Sequence, residues 1–221
     1  MSDVDLRELE HRFRASGSVE DEAAWLRARV QAGGLGEEWL RLAACFGQEA
    51  ARVVLGTQAQ DQSESVNLLL TVEDWGQEPM ARAVLASAAL LLGRMDSTLP
   101  SFEALSDAVR AAEAWTLCPC AAHAENLASR YSVTKELVYE DLQGYDEPAY
   151  ALLQVFVLAS PPTSSSDWVG GVQWALRSAT EASSASTVQA AVRAELVPWL
   201  LGYSDPVRER VESRQREAAG E

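Results

Sequence analysis

The chain has 221 residues, 48% hydrophobic and 23% charged, enough apolar side chain to bury a large core. Its 33 acidic residues outnumber 18 lysines and arginines, for a formal net charge of −15. That field repels nucleic acid and anionic membrane and favours encounter with a cationic partner.

Leu6, Leu9 and Phe13 recur at helical spacing, which predicts a helix over Ser2 to Arg14 with Gly17 as its stop. Ser18 and Asp21 read as a capping box built with the shorter acid. Val19, Ala23, Leu26 and Val30 mark the helix that follows, closed by Gly33 and Gly34. Trp39, Ala43 and Phe46 line a third helix. Gly47 breaks it, and Ala50 to Leu55 forms a short partner that Gly56 closes. Through Ala43, Ala44, Gly47, Ala51, Leu55 and Gly56, the stretch from Leu40 to Gly56 resembles one unit of a tetratricopeptide-related helical repeat. The resemblance implies two antiparallel helices in close approach. A single unit makes no solenoid.

Residues 57–65 are polar and Gln-rich, a predicted loop, and Val66 to Trp75 is a predicted helix. Met80, Val84, Ala88, Leu91 and Met95 give a long, mostly buried helix. Phe102, Leu105, Val109 and Ala112 line the next one, with Ser101 as its expected cap. Arg110 and Glu113 are expected to pair on its exposed face. Pro119 stops that helix and suits the start of another, expected to run back antiparallel over Cys120 to Tyr131, with Trp115 near the corner.

Beyond Tyr131 the pattern weakens. Lys135 to Leu142 is expected to hold one or two helical turns, and Asp146 with Pro148 to start a helix through the apolar run that ends near Ala159. Ser160 to Ser166 reads as a loop. Trp168, Val172, Leu176 and Ala179 form one helical face, and Val188, Val192, Leu196 and Trp199 another, which Pro198 kinks or ends. Asp205 and Pro206 start a last helix that turns polar after Arg208 and is expected to fray. No sustained apolar–polar alternation bounded by hairpin turns occurs. The expected fold is all-α, an antiparallel helical bundle or irregular helical array of about a dozen helices. Its expected organisation is an N-terminal helical segment at 1–56 and a main helical domain at 66–221, or one continuous domain.

The longest apolar run, Ala149 to Ala159, is too short to span a bilayer. An acidic, polar N-terminus without a secretory signal and an odd count of three cysteines lead us to expect reduced thiols in the cytoplasm. Isoleucine is absent and Lys135 is the only lysine, a bias expected of GC-rich bacterial coding.

Chemistry is sparse. Cys118, Cys120 and His123 are the one cluster of metal-ligand side chains, and two thiolates with an imidazole could hold three corners of a zinc site, Cys45 being a conceivable fourth. The Cys-x-Cys-x-x-His spacing is not the usual Cys-x-x-Cys knuckle, and the competing reading is small, buried cysteines. The same stretch holds fragments of a zinc-deaminase signature, but they overlap on His123 and lack the second cysteine. With only His11 and His123, and no G-x-S-x-G, phosphate loop or dinucleotide fingerprint, no catalytic or cofactor-binding residue is assigned and no metal ligand is expected. Most of the seven tryptophans fall on apolar faces and read as core; Trp174 lies off its helix's stripe.

From Arg82 to Arg130 the chain resembles an Ala-rich helical family of bacterial toxin-immunity proteins. Arg82-Ala83-Val84 with Ala86 to Leu90, Ala108 to Trp115 (AVRAAEAW), and Ala121-Ala122-His123 carry the resemblance. It implies a non-enzymatic, protein-binding module that neutralises a cognate toxin by covering it, and an acidic surface would suit a basic toxin domain. The candidate partner-binding residues are Glu113, Trp115 and His123, within the resembling stretch, and Trp174. The alternatives are a helical scaffold or adaptor with no toxin link, and a zinc-binding protein using Cys118, Cys120 and His123.

Overall fold

The structure is a computed structural model that describes residues 3–56, 76–141 and 165–220. The elements expected at 57–75 and 142–164, Trp75 and the Ala149 run included, lie outside the described residues. Among the described residues every regular element is a helix, and there are eleven. The chain divides into two compact units, Met1–Glu64 with Leu196–Ser204, and Ser65–Glu195 with Asp205–Glu221. The stretch Leu196–Ser204, inside the expected 66–221 domain, thus groups with the N-terminal helices.

In the first unit, α1 (Asp3–Ser16) ends where the Gly17 amide donates to the Phe13 carbonyl at 2.8 Å, with Gly17 at φ 61°. The Ser18 hydroxyl caps α2 (Val19–Gln31) by accepting from the Asp21 amide at 3.2 Å. Three acids follow in the first turn, where the helix dipole favours them. α3 (Glu37–Cys45) packs on α4 (Glu49–Leu55), and α2 packs on both α1 and α4. Ala43, Ala50 and Ala51 have no exposed surface, and their small side chains allow that close approach.

Aromatic rings close this unit. Phe13, Trp25 and Tyr203 form a cluster with centroids 5.5–5.7 Å apart, and Trp39 meets Trp199 edge-on at 5.5 Å. The Tyr203 hydroxyl donates to the Glu22 carboxylate, which also accepts from the Gln48 amide. Burial first, and then Glu22, hold the Tyr203 phenol protonated well above its ordinary range.

The second unit is built on α5 (Gln77–Leu92), in which every residue from Pro79 to Ala88 is buried. A helix apolar on all sides must be covered on all sides; α6 (Pro100–Leu117) and α9 (Ser165–Ala182) pack on it. α7 (Ala121–Ser129), α8 (Tyr131–Asp141) and α11 (Pro206–Ala219) pack on α6. Val188 and Val192 of α10 (Ala185–Leu200) are buried in this unit as expected, and Leu196, which groups with the N-terminal helices, is buried as well. Pro198 sits inside α10 rather than ending it, and its carbonyl accepts from the Tyr203 amide at 2.8 Å.

Three local expectations are corrected. Ser101 does not cap α6: the helix starts one residue earlier at Pro100, and Ser101 is buried inside it. Arg110 pairs with Asp107 at 3.2 Å, leaving Glu113 to face inward. The polar C-terminal helix continues to Ala219 and closes on Gly220 at φ 77°, because its arginines reach acids in the core.

Arg82 is 1% exposed in the middle of α5 and makes a two-pronged pair with Asp205, at 2.8 and 3.1 Å. Asp205 also caps α11 by accepting from the Arg208 amide at 3.3 Å. Burial alone would push the Asp205 carboxyl up, but the Arg82 hydrogen bonds and charge outweigh it and hold the carboxyl low. A lowered carboxyl stabilises the fold fully above its unfolded value of about 3.9 and loses that contribution as pH falls through its lower folded value. Asp205→Asn should therefore be less stable near neutrality and lose less stability than the native chain below about pH 4. Urea midpoints measured across that acidic range check both parts.

Candidate functional site

The corner between α6 and α7 gathers the chemistry. α6 ends at Leu117 because Pro119 cannot continue it, and Cys118 leaves the helix in an extended conformation (φ −146°, ψ 89°). The Cys120 amide donates to the Cys118 carbonyl at 2.7 Å, which folds the chain back on itself. Cys120 is then the residue that enters α7, and His123 lies three residues on, on the same side of the new helix. His123 Nδ1 is 3.3 Å from Cys120 Sγ and 2.9 Å from the Cys118 carbonyl oxygen. One ligand atom from each of Cys118, Cys120 and His123 lies within 4.8 Å of the other two, the one such group among the described residues.

Both thiols face solvent, contrary to the reading of buried, inert cysteines. The His123 amide first, and then the Cys118 thiol, hold the Cys120 thiol below its ordinary range. The hydrogen bond to Cys120 pushes Cys118 the other way. A thiol lowered in this way moves toward the thiolate, the form that attacks electrophiles and binds metals. Cys45 is also exposed, and belongs to the first unit.

A cleft of about 310 Å³ opens beside the corner, lined by Gln77, Glu78 and Ala81 of α5 and by Trp115, Thr116, Leu117 and Pro119. Trp115 is 7% exposed. Two residues back on α6, Glu113 is 2% exposed and accepts from Arg210 at 2.8 Å and from Arg214. Arg210 also holds the buried Glu195 at 2.7 Å. Burial would lower the Arg210 guanidinium, but its two carboxylates raise it.

The four candidate partner-binding residues thus have different surroundings. Glu113 is an internal ion-pair residue, Trp115 lines the cleft from a largely buried position, and His123 sits half-buried at the corner. Trp174, in α9, is 48% exposed beside the buried Val172, Ala175 and Leu176. His11, in α1, is exposed. Sequence reasoning missed Asp205, Glu195, Arg210 and Arg214 as partners of buried charges. A charged residue amid the apolar run of α5 was the visible signal for Arg82, but an acid 123 positions away carried none.

Fold and site together define an all-α protein with a solvent-facing thiol and imidazole corner. The chain matches no family model, no curated protein and no solved structure. Among the described residues no helix is long and apolar enough to cross a membrane.

Glu113→Ala should cost roughly 2–4 kcal/mol, somewhat less than breaking a fully dry pair because both arginines still reach water. Trp115→Ala should cost about 3–5 kcal/mol, the range for emptying a buried aromatic site. Urea denaturation of each variant against the native chain gives both values.

Proposed function

We propose that this chain is a non-enzymatic protein-binding module with a basic protein partner, and that it is an immunity protein neutralising a cognate bacterial toxin by occlusion. The supporting observation is where the charges lie. Arg82, Arg210 and Arg214 pair with Asp205, Glu113 and Glu195, so these three positive and three negative charges cancel and the net charge rests on the other residues. Glu37, Glu38, Glu49, Glu103, Glu125 and Glu209 remain exposed. A net charge of −15 displayed this way speeds the approach of a basic domain and disfavours acidic competitors. The resemblance over Arg82 to Arg130 supplies the toxin-immunity reading.

Trp174 is the anchor of choice on this reading, because a half-exposed tryptophan offers a large, rigid apolar contact. The direct test is co-expression with basic toxin domains encoded beside the gene, scored by growth. The native chain should rescue growth, and its complex should weaken steeply with salt. Trp174→Ala should keep its fold and bind about tenfold or more weakly. No rescue with any neighbouring toxin, together with no salt-sensitive basic protein captured from the native host, would remove this reading.

A further inference from the structure

We propose that Cys118, Cys120 and His123 form a binding site for a single zinc ion, open to solvent at its fourth position. The site shares His123 with the candidate partner-binding residues, but its metal-binding test does not depend on that reading.

The donor set selects the ion. Two thiols and an imidazole, with no oxygen ligand among them, suit a borderline-soft cation such as zinc and disfavour magnesium or calcium. The spacing suits it as well. Tetrahedral zinc with Zn–S near ~2.3 Å and Zn–N near ~2.0–2.1 Å separates a sulfur and a nitrogen ligand by roughly 3.5 Å. Cys120 Sγ and His123 Nδ1 already stand 3.3 Å apart. The remaining separations are within 4.8 Å, a gap that side-chain rotation at the two exposed cysteines can close.

The backbone holds the donors where they are. Cys118 and Cys120 flank Pro119, whose ring fixes its own φ, and the 2.7 Å hydrogen bond between them sets the reversal. Cys120 and His123 are locked in register by α7, where the Ala124 amide donates to the Cys120 carbonyl at 3.0 Å. The Cys118 carbonyl contacts His123 Nδ1 at 2.9 Å and keeps the ring over the corner. On metal uptake Nδ1 exchanges that hydrogen bond for the ion. Three protein ligands with an open fourth position differ from the closed four-ligand arrangement of structural zinc. The exposure of both cysteines gives the ion a path in, and the acidic surface raises the local concentration of cations.

The test uses the full chain, stripped with a chelator and kept reduced with a phosphine, since a Cys118–Cys120 disulfide would occupy both sulfurs. Zinc uptake is measured by competition with a chromogenic chelator, and cobalt(II) serves as the spectroscopic probe. One zinc per chain and a sulfur-to-cobalt charge-transfer band are expected. The Cys118→Ser/Cys120→Ser double variant should lose both, and His123→Ala should weaken zinc binding by about tenfold or more. Cys45→Ser should leave both unchanged. Circular dichroism confirms that each variant is folded, as expected for substitutions at exposed or half-exposed positions. No charge-transfer band, or undiminished zinc binding in the double variant or in His123→Ala, overturns the site.

Discussion

A guanidinium buried in an apolar helix needs an acid brought to it, and in this protein Asp205 is that acid. Arg82 sits where α5 is covered on every side, so its charge must be met by a carboxylate or its desolvation penalty stays uncompensated. Asp205 meets it with both oxygens while it caps α11. One carboxylate therefore neutralises the core charge and sets the residue at which the last helix begins. That starting point fixes the phase of α11. Arg210 and Arg214, one turn apart, then face α6 and reach Glu113, and Arg210 also reaches Glu195.

This network accounts for the character of the surface. Buried acids need cations, and the cations come from a helix that a composition-based reading leaves loose in solvent. Three arginines and three acids cancel inside the network, so the formal net charge of −15 is carried by the residues outside it. The contact with the basic partner proposed above would draw on the same arrangement. The surplus of acids outside the network favours the approach of a cationic protein.

The thiol corner arises from a different constraint. Pro119 ends one helix and admits the next within three residues, so the side chains on either side of it are thrown together at the surface. Cys118, Cys120 and His123 converge through local geometry alone, which is why the cluster could be read from spacing. Their exposure could not be read that way, because a cysteine beside an apolar stripe is as readily core as surface.

Periodicity was enough to establish an all-α chain, the glycine and proline breaks between its helices, the Ser18 cap and the inward faces of α5, α6, α9 and α10, since each depends on residues within a turn or two of one another. Glu113 shows where that reach ends. Its neighbour at helical spacing is Arg110, yet its partners are 97 and 101 positions away, and only folding brings α11 against α6. The grouping of Leu196–Ser204 with the N-terminal helices has the same origin, because Trp199 and Tyr203 find their ring partners in α1, α2 and α3. Sequence by itself therefore determined the helices and the local corner of cysteines and histidine. Only the tertiary structure decided which charges are buried and with what they pair, since Coulomb pairing across the core depends on distance in space and leaves no period along the chain.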